Sequence, residues 1–179
     1  MRRLVAVMLL GVAVTGCRGI IPERGGAAAG AGPASAPARE AITAIEYEAG
    51  PCFGKCPVYS FSVSSDGAGT FIGLHNTQVS GERDFRLTPA EFEAFAAALA
   101  PYRPAPATER SYAPGRPECP MGATDLPSVS VRWEYADART SQLRYNFGCN
   151  GEANRAMADA LGNAPDLIPA LAPLIGARP

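Results

Sequence analysis

From Val58 to Ser64 the side chains alternate: Tyr59, Phe61 and Val63 fall on one side of an extended chain, and Ser60, Ser62 and Ser64 fall on the other. Period-two alternation of apolar and polar residues demands a strand with one buried and one wet face. The pattern recurs. Ile45 and Tyr47 oppose Ile42, Ala44 and Glu46. Val129, Val131, Trp133 and Tyr135 alternate with Ser130, Arg132 and Glu134. Leu143, Tyr145 and Phe147 alternate on the return from a turn at residues 136–140. Asp66-Gly67 is a hairpin signal, after which residues 70–74 and 81–87 read as two further strands.

Helical patterning interrupts these strands. Thr88-Pro89-Ala90-Glu91 combines an N-cap, a proline at the first helical position and the acid of a capping box. Phe92, Phe95, Ala96 and Leu99 then form one apolar stripe, which Pro101 and Pro104 stop. A proline-rich loop carrying Cys119 and Asp125 reaches Pro127. Asn150 is positioned to cap a second helix with Ala153, Met157, Ala160 and Leu161 inward, ending at Gly162-Asn163. Leu167, Ile168, Leu171, Leu174 and Ile175 suggest a short last helical piece, limited by Pro169 and Pro173. The expected fold is α+β: a single domain over residues 41–177, with a mostly antiparallel sheet and helices packed on one face.

Residues upstream of 41 obey other rules. Arg2 and Arg3 precede an eleven-residue apolar run, Leu4 to Val14, and Thr15-Gly16 stands before Cys17. The run is too short to span a bilayer, which takes about 20 apolar residues, and it reads as a secretory signal over residues 1–16. The segment resembles a bacterial lipoprotein signal. That resemblance implies lipidation of Cys17 and a membrane-anchored protein of the cell envelope facing the periplasm. Arg18, where such proteins carry aspartate for inner-membrane retention, favours the outer membrane. Residues 17–40 are rich in Gly, Ala and Pro with no large apolar residue after Ile21, so they are expected to form a disordered tether.

Loss of residues 1–16 removes two arginines and no acid, leaving a formal charge of −3. Lys55 is the only lysine and no basic run is present, which argues against nucleic acid as a partner.

With Cys17 lipidated, Cys52, Cys56, Cys119 and Cys149 make an even set in an oxidising compartment, which reads as two disulfides. Three connectivities are open. Cys52–Cys56 with Cys119–Cys149 is favoured, because the first pair shares one tight loop and the second joins two loops at one end of the later hairpin. Chain entropy assigns about 2 kcal/mol to the short ring and about 3.7 kcal/mol to the long one.

The densest run of unusual residues is Gly50-Pro51-Cys52-Phe53-Gly54-Lys55-Cys56-Pro57-Val58-Tyr59. It resembles the opening of an uncharacterised bacterial domain family marked by a C-x-G-x-C-P-x-Y segment entering a strand. Asp66-Gly67, Gly73, Gly81, Thr124-Asp125 and Pro127 continue the resemblance across residues 42–147. Cys119 and Cys149 lie outside that pattern and read as an added clamp. The resemblance implies a domain and an address, not a reaction.

Chemistry is sparse. A redox pair needs a thiolate of lowered pKa, usually C-x-x-C at a helix N-terminus. Here the spacing is C-x-x-x-C and Pro57 leads into a strand, so a structural disulfide is the better reading. A zinc site is disfavoured by the 63-residue gap between Cys56 and Cys119. His75 is the only histidine, and no G-x-S-x-G elbow accompanies it. Glu46 and Glu48 share one strand face, a solvated one, rather than opposing each other across a cleft. Asp125 suits a turn. Trp133, Tyr135, Tyr145 and Tyr59 fit a core better than a ligand groove.

The sequence therefore points to a lipid-anchored envelope protein that is not an enzyme and takes neither cofactor nor metal. Its partners are the membrane, through the anchor, and an envelope protein bound by the Cys52–Cys56 loop. Phe53, Gly54, Lys55, Pro57, Tyr59 and Asp125 are the candidate binding residues. The alternatives are a periplasmic thiol–disulfide protein using Cys52 and Cys56, and an inhibitor of an exported hydrolase.

Overall fold

A computed structural model describes residues 40–178; the signal segment, Cys17 and almost all of the tether lie outside the described residues. The described chain is an α+β domain built on one seven-stranded sheet. The strands are β1 (Ile42–Ala49), β2 (Val58–Ser64), β3 (Ala68–His75), β4 (Gly81–Arg86), β5 (Glu109–Tyr112), β6 (Ser128–Tyr135) and β7 (Thr140–Asn146). Helix α1 (Pro89–Leu99) follows β4, while α2 (Arg155–Asn163) and the single-turn α3 (Ala172–Ile175) follow β7. Strand order is β4-β3-β2-β1-β6-β7-β5, antiparallel except for the β5–β7 pair.

Alternation in sequence becomes rows across the sheet. Phe71, Phe61, Tyr47, Val131 and Leu143 are successive cross-strand partners, and all five are buried. Val63, Ile45, Trp133 and Ser141 form a second buried row. Phe61 stacks on Tyr47 at 5.1 Å between ring centroids and meets Phe95 of α1 at 5.6 Å. Offset rows of this kind stabilise a sheet through side-chain pairs. The opposite face carries Thr70, Ser62, Glu46, Arg132 and Gln142 in the same order.

Thr88 caps α1 through a full capping box: its hydroxyl accepts from the Glu91 amide, and the Glu91 carboxylate accepts from the Thr88 amide at 2.6 Å. These hydrogen bonds hold the Glu91 carboxyl below the usual carboxylate range. Phe92, Phe95 and Leu99 are the buried stripe.

Three expectations need correction. The proline-rich segment contains a strand, β5, paired in parallel with β7 from Glu109 opposite Gln142 to Tyr112 opposite Tyr145. Only main-chain hydrogen bonds and one packed ring, Tyr112 on Tyr145 at 5.8 Å, hold it there, so Glu109-Arg110-Ser111-Tyr112 has no alternation to display. Helix α2 starts at Arg155, with Met157, Ala158 and Leu161 buried and Ala153 exposed. The Asn150 side chain does not cap it. Asn154 precedes the helix and spends its amide on the carbonyls of Glu118 and Cys149, at 3.2 and 3.0 Å. Finally, Phe147 belongs to a 3-10 turn, Phe147–Cys149, because the Asn146 side chain accepts from the Gly148 amide and ends the strand.

Candidate functional site

Four strand ends meet at one edge of the sheet: the end of β1, the start of β2, the start of β6 and the end of β7. Both disulfides lie there, Cys52–Cys56 in the β1–β2 loop and Cys119–Cys149 between the long loop and the turn after β7. Hydrogen bonds join the loops. The Gly50 amide donates to the Ser128 carbonyl at 2.7 Å, the Phe53 amide to the Asp125 carbonyl at 3.0 Å, and Asn76 Nδ2 to the Cys56 carbonyl at 3.1 Å. Gly148 is obligatory at this junction: a Cβ there would stand 1.9 Å from the Ala123 carbonyl oxygen.

The six loop candidates do not act together. Phe53, Gly54, Lys55 and Asp125 are exposed, and Asp125 contributes to the loop through its main chain. Phe53 is 91% exposed and Met121, on the neighbouring loop, 89%. Pro57 and Tyr59 are buried and therefore cannot be part of a presented loop surface. Pro57 ends the loop, and Tyr59 keeps the inward parity of β2. Both instead line a cavity of about 630 Å³ between the loop and the C-terminal segment, together with Cys56, Phe147, Asp166 and Arg178. Trp133, Tyr135 and Tyr145 are core residues.

The polar groups of that cavity are firmly placed. Tyr47 Oη donates to the Leu161 carbonyl at 2.9 Å. Arg178 forms an ion pair with Asp166, and its Nη1 donates to the Gly162 carbonyl at 3.0 Å. Burial pushes the Tyr59 phenol up to about 12, against the opposing pull of the Arg178 charge, and raises Tyr47 well above its ordinary value. Both phenols are neutral hydrogen-bonding groups near neutral pH rather than bases. A folded-state value above the unfolded one means that this stabilisation is complete below pH 10 and is lost as the pH rises through about 12. Denaturation midpoints measured between pH 9 and 12 should therefore fall, and Tyr59→Phe should flatten the decline. An unaltered slope in that variant would remove Tyr59 as the cause.

Asp166 and Arg178 were not singled out from the sequence. The signal was there: they are the charges flanking an otherwise apolar C-terminal run. On the far face of the sheet, Glu46 and Glu48 point the same way into a polar depression of about 520 Å³. Glu46 lies 3.9 Å from Arg132, and Gln142 Nε2 donates to Ser130 Oγ at 2.8 Å. His75 is exposed at the end of β3. Among the described residues no cluster of three or more His, Cys, Asp or Glu side chains could hold a metal ion. No helix among them is long and apolar enough to cross a membrane.

A family model described as "Domain of unknown function (DUF6438)" matches residues 43–166. That is well over half of the chain, and the chain belongs to this family. No curated protein matches it.

Proposed function

We propose that this member of the DUF6438 family is a lipid-anchored protein of the cell envelope, outer membrane favoured, that binds an envelope protein through its Cys52–Cys56 loop and catalyses no reaction. The observation that carries the reading is Phe53. A large apolar ring stands 91% exposed on a loop closed by a disulfide and hydrogen-bonded to the next loop. Binding hot spots are typically aromatic anchors, and a loop already held in place loses little conformational freedom on association. Phe53 supplies the apolar anchor of such a contact, with the exposed Lys55 on the same loop. Two disulfides suit an extracytoplasmic address, and the C-x-G-x-C-P-x-Y segment is the part of the chain that builds the presenting loop. Lipid on Cys17 and a tether over residues 17–40 would keep the loop within reach of envelope partners.

A photo-crosslinking side chain in place of Phe53, activated in intact cells, should trap a discrete envelope protein. The same group at Glu93, exposed on α1, should not. Cys17→Ser should move the protein from the membrane to the soluble fraction. No adduct at position 53, or equal adducts at both positions, would overturn the loop assignment.

Thiol–disulfide exchange is the second reading, favoured by one observation: Cys56 is among the residues that line the cavity. It requires a reduced fraction of the Cys52–Cys56 pair in cells. Alkylation trapping that finds only the oxidised form would dispose of it.

A further inference from the structure

Strand β4 is one margin of the sheet, paired with β3 on a single side. The Leu87 amide donates to the Gly67 carbonyl at 2.9 Å, one step beyond Ala68 opposite Arg86. In an antiparallel ladder, hydrogen-bonded pairs alternate with unbonded ones. Arg83 and Phe85 therefore turn their main-chain groups toward β3, whereas Glu82, Asp84 and Arg86 turn theirs away from the sheet. Part of this free edge is closed. Arg83 Nη1 donates to the Glu82 carbonyl at 2.6 Å, and the Thr88 amide is spent on the Glu91 carboxylate. The stretch that keeps both donors and acceptors free is residues 84–86.

The side chains of that stretch complement a second copy of themselves. Asp84 and Arg86 are exposed and share the face of the sheet that no helix covers. Asp84 Oδ1 accepts from the Thr70 hydroxyl at 3.1 Å. Neither charge has an ion-pair partner among the described residues. Phe85, between them, is half-buried on the other face and lies over Gly69, where a Cβ would stand 2.6 Å from its ring.

A two-fold axis normal to the sheet and passing beside Phe85 brings a second β4 alongside, antiparallel, with facing residues on the same side. Asp84 then meets the partner's Arg86, Arg86 meets the partner's Asp84, and the two Phe85 rings adjoin. The neighbouring registers each oppose like charges. An axis at Asp84 or at Arg86 sets that residue against itself, and one at Arg83 sets Glu82 against the partner's Asp84. Opposite charges directly across a strand pair stabilise it, and like charges destabilise it. Edge strands are commonly guarded by charge, lysine above all. Here there is no lysine, and the two open positions carry opposite signs.

We propose that β4 pairs with β4 of a second copy of this chain about a two-fold axis at Phe85, joining two seven-stranded sheets into one. Asp84 and Arg86 exchange four main-chain hydrogen bonds and two ion pairs across the joint, an isologous contact. So small a contact belongs to the weak, reversible class. The surface is separate from the Cys52–Cys56 loop, but the pairing has a consequence for it. Gly81 stands opposite Gly73, and His75 opposite Val58, so β4 starts at the end of the sheet that bears that loop. Antiparallel pairing sends the two loops to opposite ends of the joint sheet, where one dimer can hold two partners.

The test is sedimentation of the full lipidated chain in density-matched detergent. Wild type should form a reversible dimer at about 0.1 mM, an affinity of roughly that order. Asp84→Arg and Arg86→Asp should each weaken it at least about tenfold, because each opposes like charges twice. An equimolar mixture of the two variants should dimerise again, since every facing pair then carries opposite signs. In intact cells, Phe85→Cys should yield an oxidised homodimer. Facing residues of an unbonded antiparallel pair lie about 4.5 Å apart at Cα, within disulfide reach. Glu93→Cys, exposed on α1, should not. A monomeric wild type overturns the proposal, as do variants that dimerise like wild type. A mixture that stays monomeric, or a Phe85→Cys bridge to a different protein, overturns it as well. Neither charge lies in the disulfide loop, so adducts at position 53 are read independently of this result.

Discussion

Replacing Cys119 and Cys149 together by alanine is expected to destabilise the domain by about 3.7 kcal/mol, the chain-entropy value for the 31-residue ring they close. For a domain of this size that is a fall in melting temperature of about 12 °C. Alanine is the right substitution, because both sulfurs are buried and serine would add an unpaired hydroxyl. The bridge ties the 113–127 loop to the turn after β7 where few other bonds do. The Asn154 side chain reaches Glu118, that of Asn146 reaches the Leu126 carbonyl at 3.3 Å, and the Phe53 amide reaches Asp125. Freed of the bridge, the loop should release that last tie, so hydrogen exchange at the Phe53 amide should speed up while β1 and β2 stay protected. Removing the Cys52–Cys56 bridge should cost about 2 kcal/mol. Thermal unfolding of the two double variants compares them directly. A larger loss from the short ring would mean that native-state strain or residual denatured structure outweighs loop closure.

The other large effect lies in the aromatic row. Phe61→Ala should cost about 3–5 kcal/mol. The ring is buried, stacks on Tyr47 at 5.1 Å and on Tyr59 at 6.4 Å, and receives Phe95 of α1 at 5.6 Å. Its removal opens a cavity that three large rings from different elements cannot close together. Urea titration reads the effect as a lower midpoint at an unchanged slope. Phe85→Ala, a half-buried ring lying on Gly69 at the sheet edge, should cost clearly less. Equal losses would show that the Phe61 row carries no special weight.

Where burial follows a period, the sequence shows it. Tyr59, Phe61 and Val63 state their facing outright, and so do the four inward residues of β6. Thr88 and Glu91 announce α1 because both halves of the capping box are local. Elements held by main-chain bonding leave no such mark. Strand β5 packs only Tyr112, and Asn150 resembled a helix cap because nothing local reveals that Asn154 is tied to Glu118, 36 residues away. The candidate site shows the same division. The exposed half of the loop, Phe53 to Lys55, was legible as a tight disulfide ring. The cavity beneath it joins Tyr59 to Arg178 across more than a hundred residues, a proximity that only the folded sheet creates.

The position of β1 has a consequence in time. It pairs with β2, its immediate successor, on one side and with β6 on the other. A chain delivered from its N-terminus can therefore complete the β1–β4 meander and α1 while the second edge of β1 stays open, waiting for a strand that begins about 80 residues after β1 ends. An unpaired edge of that kind is a template for pairing with other chains. The central strand of the finished sheet is thus the exposed margin of the half-made one, and it is in this interval that the protein is most open to aggregation or to capture by a chaperone.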